Sequence, residues 1–139
     1  MLFKKNEMKQ ILFVLIFLTS FNLFSQTENI TSIEITKKLC KNWKLKEMKS
    51  EGEIMPFNLH LEIKYFENNT FEMNANGGIE KGKWNVEKIN NEYYIVINKS
   101  ESTKLVSVDE NSFVISKSFE NNRKESEKMS VEYYFILND

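Results

Sequence analysis

Cys40 and His60 are the only thiol and the only imidazole in the 139 residues. A cysteine nucleophile needs a base in reach, so covalent catalysis would have to be built from this one pair. The plainer reading makes Cys40 a small apolar side chain at the end of a helix. His60 shares the polar phase of its strand with Glu62 and Lys64 and is expected to face solvent. A soft-metal site needs several His, Cys or carboxylate ligands converging on one point, and a hard-cation loop needs closely spaced acidic residues; neither pattern occurs. Gly77-Gly78 reads as a hairpin turn needing positive φ rather than as a phosphate cradle. There is no Gly-x-Ser-x-Gly elbow, and the glutamates alternate toward the outside of strands, where solvated charge is the default. The expectation is a protein that is not an enzyme and carries no metal and no cofactor. A small hydrolase or isomerase has no motif behind it. A single cysteine also excludes an intramolecular disulfide, so the core alone must hold the fold.

The elements that would position any site are legible in the periodicity. With 41% hydrophobic, 13% aromatic and 28% charged residues, the composition is that of one packed globular domain. A period of two runs through Trp43 and Leu45, Leu59 to Tyr65, Phe71 to Ala75, and Trp84 and Val86, as expected of half-buried strands. Tyr93 to Ile97 is apolar on both faces, Val106 and Val108 form a shorter strand, and Phe113 to Phe119 and Val131 to Leu137 complete the set. Turn formers separate them: Asn68-Asn69, Asn76-Gly77-Gly78, Asn90-Asn91, Ser100-Glu101-Ser102 and Asp109-Glu110-Asn111. About eight strands at this spacing, with no crossover helix, predict an all-β antiparallel up-and-down barrel, since closing a meander removes its exposed edges. The stretch from Lys49 to Asn58, with Gly52 and the only proline, Pro56, is expected to be the one longer loop, at the barrel mouth. Ahead of the strands, Thr31 and Glu34 have capping-box spacing with Ile30 and Ile35 as a staple. This predicts a short helix to Lys41 whose Ile35 and Leu39 share a face, acting as a lid or plug.

The N-terminus has a different balance. Lys4, Lys5 and Lys9 lead into the apolar run Ile11 to Leu18, which Thr19, Ser20 and Asn22 then dilute. This is the layout of a secretory signal, and the run is too short for a membrane span, which needs about 20 apolar residues. The expected organisation is therefore a signal peptide over 1–26, cleaved near Ser25 or Gln26, a helix over 27–41 and a barrel over 42–139. The mature protein is expected to be exported, periplasmic or secreted. Cys40 lies too far downstream to serve as a lipid attachment point. Loss of three lysines and Glu7 takes the formal charge from −1 to −3, too weak an imbalance to imply nucleic acid or an anionic membrane as partner.

Several stretches carry a family likeness: Leu39 followed by Trp43-Lys44-Leu45; Tyr65-Phe66 with Asn68-Asn69-Thr70-Phe71; and Gly82-Lys83-Trp84. In this the chain resembles the small bacterial secreted lipocalin-like domain proteins, although Lys41 stands where their pattern has glycine before the first Trp. The resemblance implies a lipocalin-like barrel whose closed end is lined by Trp43 and Trp84. It implies no particular ligand, because one fold hosts many functions.

Two functional readings follow. In the first, the barrel binds a small hydrophobic molecule against inward-phase side chains: Leu61, Ile63 and Tyr65; Phe71 and Met73; Tyr93 and Ile95; Phe113 and Ile115; Tyr133 and Phe135. An eight-stranded barrel is just wide enough to be filled by its own side chains or to hold one small ligand. This reading expects a pocket opening near Lys49 to Asn58 or no continuous cavity, and a large polar cleft elsewhere would overturn it. In the second, a filled barrel acts as an envelope interaction protein through its surface or loops, with Tyr94, Val96 and Ile136 as an exposed apolar patch.

Overall fold

The computed structural model describes residues 22–120 and 127–139, with side chains from residue 31 onward. Most of the expected signal segment thus lies outside the described residues. By its contacts the chain divides into two units, Met1–Ile33 and Glu34–Asp139; the second holds all of the strands and the last turns of the helix.

Helix α1 (Asn22–Leu39) extends upstream of the expected start, so Thr31 is an internal residue and not the first cap of the helix. Its end behaves as the i, i+4 stripe predicts: Ile35 and Leu39 are buried in the core. Lys37 and Lys38 occupy the last turn, where positive charge suits the helix dipole.

Among the described residues nine strands follow: β1 (Asn42–Ser50), β2 (Glu53–Met55), β3 (Leu61–Tyr65), β4 (Thr70–Ala75), β5 (Gly78–Ile89), β6 (Glu92–Ile97), β7 (Glu101–Val108), β8 (Ser112–Glu120) and β9 (Lys128–Leu137). Every pairing is antiparallel, and β1 pairs with β9 as well as with β3, so eight strands close into a barrel with β2 as an addition. The expected loop from Lys49 to Asn58 is corrected here. Ser50 pairs with Glu53 across the two-residue turn Glu51-Gly52, whose φ angles of 51° and 81° are those of a type I′ hairpin. The run Glu53-Ile54-Met55 is too short to show a period, which is why alternation does not reveal it.

The other tight turns use the same left-handed backbone. Asn76-Gly77 has φ of 50° and 87°, Asn90-Asn91 51° and 63°, and Asn98-Lys99 52° and 58°. Two expectations shift by a residue or two as a result. The β4–β5 hairpin turns on Asn76-Gly77 while Gly78 already belongs to β5, and Ser100-Glu101-Ser102 is not a turn, because Asn98-Lys99 makes it and β7 starts at Glu101. A β-bulge between Leu105 and Ser107 also flips the phase of β7. Val106, at the bulge, is 46% exposed while Leu105 before it is buried.

The core is concentrated at the end where α1 enters. Trp43 is fully buried, and its indole N–H donates to the Leu39 carbonyl at 2.9 Å. Its ring meets Phe113 edge-on at 5.0 Å, Phe113 stacks on Phe135 at 4.6 Å, and Tyr65 lies 4.5 Å from Trp84. Trp84 donates twice to the turn between β3 and β4, from its backbone N–H to Asn69 at 2.9 Å and from its indole to the Phe66 carbonyl at 3.1 Å. Tyr65-Phe66, Asn68-Asn69-Thr70 and Gly82-Lys83-Trp84, apart in sequence, are thus a single contact in space. Gly82 is required there, since a Cβ would run into the Asn98 side-chain amide and come within 2.8 Å of the Phe71 ring.

Candidate functional site

The barrel interior holds a cavity of about 120 Å³, walled by Leu61, Ile63, Tyr65, Met73, Ile95 and Ile97, and by Thr103, Ile115, Lys117, Tyr133 and Phe135. Leu61 opens β3, Ile97 closes β6 and Lys117 stands late in β8, so the cavity lies toward the barrel end opposite α1. Tyr65 and Phe135, both also in the aromatic cluster, form its floor. The segment from Lys49 to Asn58 leaves from this same end, but none of its residues is in the wall.

Eight of the eleven expected interior residues line this space: Leu61, Ile63, Tyr65, Met73, Ile95, Ile115, Tyr133 and Phe135. The remaining three are placed elsewhere. Phe71 and Phe113 are buried in the aromatic plug, 2% and 0% exposed. Tyr93 packs half-buried against the core, with the Lys88 ammonium 5.8 Å from its ring. Three wall residues escaped the sequence reading, namely Ile97, Thr103 and Lys117. Ile97 and Lys117 continue inward phases already recognised, Ile97 after Tyr93 and Ile95 and Lys117 after Phe113 and Ile115, so extending the alternation finds them. Thr103 shares the phase of Leu105, which the bulge disguises.

The wall is apolar apart from a polar corner. Burial holds the Tyr65 phenol protonated, well above the ordinary range for a tyrosine. Thr103 is only 7% exposed. Lys117 reaches along the wall to Glu101, Nζ to Oε1 at 2.8 Å, and the two side chains are 36% and 61% exposed.

The residues weighed for catalysis lie apart from this cavity's wall. His60 is an exposed side chain 3.2 Å from Glu62, which also accepts from Asn138 at 2.9 Å. Burial, with Glu67 adding to it, pushes the Cys40 thiol up, away from the thiolate that a nucleophile needs. Among the described residues no three His, Cys, Asp or Glu side chains gather as a metal site, and no helix is long and apolar enough to cross a membrane.

A wider groove, about 650 Å³, runs over the outer wall between the β3–β4 turn and the β6–β7 turn, past Asn68, Asn69, Lys83, Asn85, Lys99 and Ser102. A large polar cleft away from the interior is the outcome expected to overturn interior binding; this one is an open surface groove whose lining also includes Trp84 and Val96. Several of its polar groups already serve the fold: Asn68 accepts from Thr70, and the Asn85 amide donates to Glu87 at 3.2 Å.

Val96, one of three residues expected to form an exposed patch, lies in this groove and is buried at 7%, while Tyr94 and Ile136 are half-buried. The patch as expected is therefore absent. Tyr94 donates to Glu92 at 3.1 Å, and Lys104 meets the same carboxylate at 2.9 Å. Both contacts stabilise the Glu92 anion and hold its pKa down. The large apolar side chains that are exposed include Ile54, Phe57, Ile79 and the cross-strand pair Phe119 and Met129.

Eight antiparallel strands closed into a barrel, with a helix ahead of them and a tryptophan-sealed end, are consistent with the lipocalin-like architecture that the resemblance implies. Comparison with protein-family models finds none that matches the chain, and comparison with curated proteins finds no match.

Proposed function

We propose that this is an exported, non-catalytic lipocalin-like protein that holds one small apolar molecule inside its barrel. The observation that carries the reading is the asymmetry of the interior. One end is filled by Trp43, Phe113 and Leu39, all fully buried, while the other keeps a cavity of about 120 Å³ with a largely apolar wall. Concave, mostly apolar spaces with a few polar groups are the usual form of small-molecule sites. Export is supported by the basic segment, apolar run and polar boundary within residues 1–26.

The test is native mass spectrometry on protein purified from the envelope or medium of its own host, compared with the same sample denatured. A discrete mass lost on denaturation is the expected result. A bare protein mass from material shown to be folded would overturn the carrier reading.

The outer groove favours a second reading, in which the barrel is a scaffold and a macromolecular partner is recognised over Asn68, Lys83, Lys99 and Ser102. It ranks second on physical grounds. The groove is an open surface whose Asn68 and Asn85 side chains already have partners within the fold, so a ligand there gains little desolvation.

A further inference from the structure

We infer that the barrel cavity takes a small carboxylate: a molecule of about benzene size whose apolar body packs among Leu61, Met73, Ile95 and Ile115 and whose anionic end meets Lys117 and Thr103. This deepens the proposed binding function and rests on it.

The argument begins with a lysine in an unusual place. Lys117 shares the inward phase of β8 with Phe113 and Ile115 and pairs with Val131, which is 2% exposed. A charged group without compensation is costly in such a wall. The barrel avoids the cost by laying the aliphatic stem along the cavity and bringing the ammonium to Glu101 at the first position of β7. Both partners remain in touch with water, and an exposed pair of this kind contributes little. Replacing the Glu101 carboxylate by that of a ligand is therefore close to an even exchange, and the ligand's apolar body adds a burial term that Glu101 cannot supply.

Thr103 adds the second polar contact. It is the one buried polar residue among those described, and it pairs with Ile95 across β6 and β7. Continuing the register of Lys104 with Ser116 by one step puts Thr103 opposite Lys117. A hydroxyl and an ammonium on neighbouring strands supply donors to the two oxygens of a carboxylate. The cavity wall contains no acidic residue, so the sign of the site favours an anion over an amine.

Size narrows the class further. A space of about 120 Å³ is close to the roughly 150 Å³ cavity known to take up benzene and well below the roughly 300 Å³ at which drug-sized pockets begin. Short branched or aromatic carboxylates fit; long-chain lipids and sterols do not.

The experiment titrates benzoate, and toluene as its uncharged counterpart, into the purified protein near neutral pH at low salt, following cavity-residue signals by NMR. Wild type is expected to bind benzoate more tightly than toluene. Lys117→Met should weaken benzoate about tenfold and leave toluene as tight or tighter, while Lys117→Arg retains benzoate. Glu101→Gln should tighten benzoate by removing the competing anion, a change that a purely structural ion pair would not produce. The inference is overturned if toluene outcompetes benzoate, or if Glu101→Gln and Lys117→Met leave the benzoate-to-toluene ratio unchanged. Toluene binding would then still uphold the cavity as a binding site. If neither compound enters the cavity, the binding reading falls, and this inference with it. Should Lys117→Met fail to fold, Lys117→Arg and Glu101→Gln decide the matter.

Discussion

The two ends of the barrel are made from the same alternating strands and differ in what their inward positions carry. At the helix end those positions hold Trp43, Phe113, Trp84 and Tyr65, and both indoles have carbonyl partners, at Leu39 and Phe66. At the far end they hold Leu61, Met73, Ile97, Thr103, Lys117 and Tyr133, which leave a cavity. Large rigid aromatics with satisfied polar tips close a space; aliphatic chains with a lysine and a threonine keep one. The difference shows how one sheet divides its labour, with stability at one end and accessibility at the other.

The sharpest way to break this comparison is to shorten a side chain at each end. Trp43→Ala, which removes a fully buried ring and its hydrogen bond, should cost about 3–5 kcal/mol in urea unfolding. Leu61→Ala, in the wall of a space that already exists, should cost well under half as much. Equal losses would show that the far end is as tightly built as the near one.

Next in size is Gly82→Ala. The new methyl meets the Asn98 amide and the Phe71 ring, and overpacking of this kind typically costs about 1–3 kcal/mol, to be read as a lowered midpoint in thermal melts. A variant as stable as the parent would mean that the contact between β5 and the β6–β7 turn is loose.

The third prediction reverses the direction of change. Leu61→Phe should narrow the cavity of about 120 Å³ with a stability change of about 1 kcal/mol or less and weaken uptake of any interior ligand. Leu39→Phe, in the fully packed plug, should instead be destabilising.

The smallest expected effect concerns pH. Asp109 accepts from the N–H groups of Asn111 and Ser112, at 2.8 and 2.9 Å, and from the Ser112 hydroxyl at 3.1 Å. These bonds hold its pKa below the ordinary carboxylate value. A depressed folded-state pKa gives stability that is present above the unfolded value and is lost as pH falls through the folded one. Asp109→Asn should therefore flatten the acid limb of the stability-against-pH curve and leave its neutral region nearly unchanged. An unaltered acid limb would show that the β7–β8 turn holds without the charge.

Much of this architecture was readable from residue order because strand alternation is a local signal. Leu61, Ile63 and Tyr65 face inward simply because Glu62 and Lys64 face out. What escaped was whatever broke the local rule. The bulge in β7 interrupted the alternation between Leu105 and Ser107, and β2 was too short to register. A polar side chain in an inward phase, as at Thr103 and Lys117, carries its meaning only once the wall around it is assembled. The same limit applies to Phe71 and Phe113. Their phase was right, but whether an inward aromatic fills a plug or borders a cavity depends on its height along the barrel, and register sets that height.

The pairing of β1 with β9 has a consequence for how the molecule is made. Every other barrel pairing joins neighbours in the chain, whereas this one runs from Trp43 with Leu137 to Ser50 with Val131. A chain emerging from its N-terminus can form its hairpins one after another, yet β1 must wait with one edge unpaired until the last strand arrives. Closing so long a loop is the slow part of such a topology. The unpaired edge of β1 during that interval is then where mispairing with another chain would begin.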